Sequence, residues 1–101
     1  MAVGGRGSAR IARYDGTSWQ TDILSGVPGL NAVFMVEPGV AVIGGTNGYL
    51  GLYNPATQVL VDELSFTNRC LHGIWTGSDG VSYAVGGRFS PPFAGTALMR
   101  R

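Results

Sequence analysis

Two glycines preceded by an apolar pair occur three times, as Ala2-Val3-Gly4-Gly5, Val42-Ile43-Gly44-Gly45 and Ala84-Val85-Gly86-Gly87, roughly 41 residues apart each time. Other residues keep step. Gly29–Phe34 aligns with Cys70–Trp75, and Pro38-Gly39-Val40 with Asp79-Gly80-Val81, at the same interval. Arg13-Tyr14-Asp15 aligns with Leu52-Tyr53-Asn54 at a slightly shorter one. This internal period constrains the fold more than any other feature of the chain.

The 17 glycines and 5 prolines penalise helix interiors, and no stretch keeps a helical apolar spacing for three turns. Short β-branched and aromatic runs separated by Gly, Pro, Asn and Asp predict an all-β chain. One repeat divides into strands at Leu30–Val36, Val40–Gly45, Tyr49–Tyr53 and Gln58–Leu64. Glu37-Pro38-Gly39 is a tight turn, where Pro fixes φ and Gly supplies a positive one, and Asn54-Pro55-Ala56-Thr57 turns the chain again. The glycine pairs fit places where another strand crosses too close for a Cβ. The same phase puts strands at Ala2–Gly5, Arg10–Tyr14 and Trp19–Leu24 before this unit, and at Leu71–Thr76, Ser82–Gly87 and Thr96–Arg100 after it.

Four strands in each such period is the spacing of a β-propeller blade. The apolar-Gly-Gly element, a Tyr eight or nine residues on and an apolar or Trp position after it resemble the kelch motif. Here that motif reads Val42-Ile43-Gly44-Gly45, Tyr53 and Leu60, and at the N-terminus Ala2-Val3-Gly4-Gly5, Tyr14 and Trp19. Tyr-Asp-Gly-Thr-Ser-Trp and Tyr-Ala-Val-Gly-Gly also resemble short bacterial propeller repeats. The resemblance implies antiparallel four-stranded repeats in blade geometry, with a β-sandwich or barrel as the alternative. The chain then reads as a single unit: a partial repeat over 1–29, a full blade over 30–69 and a partial repeat over 70–101. About two and a half blades cannot close a ring, because propellers typically have at least four. Open edges predict either a fragment or a homo-oligomer.

Composition narrows the function classes. Seven basic and six acidic residues nearly cancel, so nucleic acid is not an expected partner. No apolar run approaches the roughly 20 residues of a membrane helix, and no signal-peptide pattern opens the chain, so no membrane partner is expected. One cysteine, Cys70, allows no intrachain disulfide and no multi-cysteine metal site. No metal and no cofactor are expected. Cys70 and His72 would share a strand face, but nothing nearby orients them as a nucleophile pair. Asp62 and Glu63 are adjacent on a strand and point to opposite faces. Arg6, Arg10, Arg13, Arg88, Arg100 and Arg101 would form a basic rim if the termini met.

The candidate ligand-binding residues are Trp19, Asp15, Tyr14 and Arg13. Trp19 follows the polar turn Asp15-Gly16-Thr17-Ser18, a type I turn started by Asp. The aromatics at repeat-equivalent or near-equivalent positions, Trp19, Trp75, Tyr14, Tyr53 and Phe34, serve either as sugar-stacking platforms or as packing between blades. The expected function is a non-catalytic binding or self-assembly module, with a protein or a glycan as further partner. Lectin-like glycan binding at clefts between blades is one alternative, and a fragment of a propeller glycoside hydrolase the other. The thin inventory of carboxylates, one His and one Cys argues against catalysis.

Overall fold

The computed structural model describes residues 1–100. It is all-β, with ten strands: β1 (Ala2–Gly4), β2 (Ala9–Tyr14), β3 (Trp19–Leu24), β4 (Leu30–Glu37), β5 (Val40–Gly45), β6 (Leu50–Tyr53), β7 (Leu60–Glu63), β8 (Leu71–Thr76), β9 (Ser82–Arg88) and β10 (Ala94–Arg100). They form three antiparallel sheets: a first sheet ordered β1-β2-β3, a middle sheet β4-β5-β6-β7 and a third sheet β10-β9-β8. Each is a meander of chain neighbours, and none closes into a barrel. The middle sheet spans the full repeat. Relative to it the first sheet lacks a leading strand and the third lacks a trailing one, the phase expected from the glycine pairs.

The strands end where the backbone forces them to. β1 stops at Gly4 because Gly5 turns to φ +107°, and a Cβ there would land on the carbonyl oxygen of Ser8. β7 begins at Leu60, later than the sequence suggests. The Asn54 turn holds the chain, with the Asn54 N–H donating to the Val59 carbonyl at 2.9 Å and Gln58 at φ +62°. β10 begins earlier than expected, at Ala94, because it pairs with β9 all the way to Arg88.

The middle sheet is apolar on both faces, and each face packs against a different neighbour. On one side Ala41, Ile43 and Tyr53 meet Ala9 and Ile11 of the first sheet, with Val27 and Leu30 completing the cluster. On the other Val42 and Leu50 meet Leu71 and Ala84 of the third sheet. The three sheets therefore stand in a row with two apolar seams between them, in a body of 45 × 33 × 19 Å. Burial of the four large side chains closed off completely, Tyr53, Ile11, Ile43 and Leu71, contributes about 1.5–3 kcal/mol each.

The repeat in space is shifted slightly from the repeat in sequence. Leu30 pairs with Gly45 and Leu71 with Gly86. Gly45 and Gly86 are therefore the equivalent positions, rather than the two second glycines Gly45 and Gly87. A Cβ on Gly45 would fall on the carbonyl oxygen of Gly29, and one on Gly86 on that of Cys70. Gly87 acts differently, turning β9 past Ala94 at φ +144°. What fixes the glycine is the strand crossing over it, a contact that the sequence does not display.

Candidate functional site

The first and third sheets each have one face in a seam and one face with no neighbour. On the first sheet, strand alternation puts Ala9, Ile11 and Arg13 toward the middle sheet and Arg10, Ala12 and Tyr14 outward. Trp19 pairs with Tyr14, Thr21 with Ala12 and Ile23 with Arg10, so these too face outward. The rings of Tyr14 and Trp19 lie 5.3 Å apart, tilted at 49°, and are 54% and 58% exposed. Beside them a shallow groove of about 370 Å³ is lined by Ala2, Val3, Gly4, Arg10, Ile11, Ala12, Thr21, Asp22 and Ile23.

Asp15 sits in the turn joining these two aromatics. Its Oδ1 accepts the N–H groups of Thr17 and Ser18, both at 2.8 Å, and its Oδ2 accepts the Gln20 side-chain amide at 3.3 Å. The Ser18 and then the Thr17 amide hold its carboxyl below the usual aspartate value. Asn54 makes the same turn in the middle sheet, accepting from Ala56 and Thr57 at 2.9 and 3.2 Å. Asp15 is thus a turn former that keeps Tyr14 and Trp19 side by side.

Arg13 points the other way. Its Nε donates to Asp22 Oδ2 at 2.9 Å, and its Nη1 donates to the Pro55 carbonyl at 3.2 Å, tying the first sheet to the middle one. Three of the four candidate residues therefore share one outer surface, and Arg13 lies in the seam behind it. Near Arg13 and Asp22, the Tyr53 phenol is pushed up, first by burial and then by the Asp22 carboxylate. Tyr49 is raised by burial and by Asp62, to whose Oδ1 its hydroxyl donates at 2.7 Å. Glu63, on the opposite face, pairs with Arg100 at 2.8 Å.

The sequence does not single out the outer face of the third sheet. Trp75 and Tyr83 stack there with ring centroids 6.1 Å apart. Val85, Ala97 and Met99 continue the surface, all exposed. Besides Trp75, one of the repeat-equivalent aromatics, Tyr83-Ala84-Val85 carries a hint: apolar residues on both parities belong to a strand covered on both faces.

The remaining candidate groups are scattered. Cys70 lies one residue before β8, while His72 stacks on Phe89 at 4.5 Å. The arginines form no single rim: Arg13 and Arg100 are paired on different sheets, Arg88 donates to the Pro91 carbonyl, and Arg101 lies outside the described residues. Among the described residues no three of His, Cys, Asp or Glu come together as a metal-binding group. Nor, among the described residues, is any helix long and apolar enough to cross a membrane. Compared with models of protein families, with curated proteins and with solved structures, the chain matches none.

Proposed function

We propose that the chain is a non-catalytic self-assembly and binding module, built from kelch-like repeats as a partial β-propeller. The observation that carries this reading is the contrast between Tyr53 and Tyr14. They occupy the same place in their sheets: Tyr53 pairs with Leu60 as Tyr14 pairs with Trp19. Tyr53 is sealed in a seam at 1% exposure, whereas Tyr14 is open to water. A surface built like the inside of a seam, with nothing against it, is a binding surface. The three meander sheets, each in phase with one sequence repeat, support the propeller reading. Light scattering at micromolar concentration tests the assembly, which requires a mass at a multiple of that of the single chain.

The tilted Tyr14–Trp19 pair favours a glycan as a second partner, because exposed aromatic faces next to polar groups stack on sugar rings. On a glycan array this reading requires a hit that Trp19→Ala loses. Binding that survives the substitution assigns Trp19 to assembly alone.

A further inference from the structure

We propose that copies of this chain dock head to tail, with the outer face of the third sheet of one copy seated on the outer face of the first sheet of the next. This rests on the self-association reading above and names the two surfaces that meet.

The internal seams supply the first argument. Each seam joins opposite faces of successive sheets. The middle sheet shows one face, with Val42 and Leu50, to the sheet after it, and the other, with Ile43 and Tyr53, to the sheet before it. Register identifies the matching positions on the outer sheets. Gly44 pairs with Leu50 and Val42 with Leu52; in the third sheet Val85 pairs with Ala97 and Tyr83 with Met99. Tyr83 and Ala97 are then the counterparts of Val42 and Leu50, on the face that looks toward a following sheet. In the first sheet Tyr14 is the counterpart of Tyr53, on the face that looks toward a preceding one. The two open faces are the two halves of one further seam, of opposite kind.

Shape and charge agree with that assignment. The third-sheet face is bulky: Trp75, Tyr83, Val85 and Met99 stand on it, 42–57% exposed. The first-sheet face holds a groove in which the small residues Ala2, Gly4 and Ala12 alternate with Arg10, Ile11, Asp22 and Ile23, beside the projecting Tyr14 and Trp19. Projecting side chains on one side meet, on the other, a groove bordered by the Tyr14–Trp19 pair. The strands of the bulky face put no charged side chain on it, while the groove is lined by Arg10, the cation best suited to lie against Trp or Tyr rings, and by Asp22, which Arg13 engages. The large apolar side chains expose on the order of 400 Å² on each face. Together they offer about 800 Å² of apolar surface, two thirds of the roughly 1,200 Å² at which stable interfaces begin. Because the joined surfaces differ, the contact repeats, closing into a ring or continuing as a fibre.

Sedimentation velocity on the full chain and on two exposed-face variants, Tyr83→Arg and Ile23→Arg, tests the pairing. Far-UV circular dichroism establishes that both variants stay folded, and Val85→Arg and Thr21→Arg serve as second choices for the two faces. Each variant alone is expected to lose self-association by roughly 100-fold. An equimolar mixture of the two is expected to recover a 1:1 complex, because one intact junction remains between them. Undiminished self-association of either variant alone overturns the proposal, and so does a mixture of folded variants that stays monomeric. A wild-type chain that is monomeric throughout overturns the self-association reading itself. Wild-type association with the wrong mixing pattern overturns only the assignment of faces.

Discussion

Gly86→Ala lowers the unfolding free energy by about 3 kcal/mol and the melting temperature by roughly 15 °C. The new Cβ would fall on the Cys70 carbonyl oxygen, 2.8 Å from Leu71 Cα and 2.9 Å from the Cys70 carbonyl carbon. All three are backbone atoms at the start of β8, so no side-chain rotation relieves the clash. The same carbonyl accepts the Gly87 N–H at 2.9 Å, and moving it breaks that bond. Leu71, fully buried in the second seam, would be displaced along with it. Gly95, on the neighbouring strand, is the control: a Cβ there meets nothing within 4 Å. Gly95→Ala stays within about 0.5 kcal/mol of wild type. Thermal melts followed by circular dichroism separate the two. A Gly86→Ala chain that melts with wild type would mean that β8 does not cross β9 at this residue.

Tyr53→Ala costs about 4 kcal/mol, whereas Tyr14→Ala, measured in dilute solution, costs no more than about 1 kcal/mol, the worth of its cross-strand pair with Trp19. The two positions read alike in the sequence and differ in what covers them. Tyr53 is held between Ile11 and Ala9 on one side and its own sheet on the other. Removing its ring leaves a cavity in the first seam. Its hydroxyl is buried with no hydrogen-bond partner, so Tyr53→Phe keeps wild-type stability or gains up to about 1 kcal/mol. Chemical denaturation of the three variants checks the order. Equal losses from Tyr53→Ala and Tyr14→Ala would mean that the first sheet is covered on both faces within a single copy.

Much of the strand pattern is legible because local chemistry sets it. Trp19–Leu24, Val40–Gly45 and Leu71–Thr76 are bounded by turn residues on either side, and the structure keeps those bounds. The glycine pairs announce close approaches, but the one-residue slip between Gly86 and Gly87 cannot be read, since it depends on which backbone lies above. Strand parity puts Asp62 and Glu63 on opposite faces, and each finds its own partner, Tyr49 and Arg100. Adjacency in the chain groups Arg13 with Tyr14 and Asp15. Adjacency on a strand alternates faces, so Arg13 turns into the seam. Trp75 is among the aromatics the sequence marks, but Tyr83 and the surface the two share escape notice for a related reason. Their apolar character is legible, but only the packing of three sheets in a row shows that nothing lies over them.

The chain has two tryptophans, Trp19 on one open face and Trp75 on the other, 58% and 57% exposed. Tryptophan emission and acrylamide quenching across a concentration series therefore watch both surfaces at once, and Trp19→Phe and Trp75→Phe resolve them. If the two faces close on each other as copies assemble, emission shifts to shorter wavelength and quenching falls as concentration rises, for both residues together. Emission that stays at the wavelength of exposed tryptophan, with unchanged quenching from nanomolar to high micromolar chain, would contradict the assignment of these faces to self-assembly.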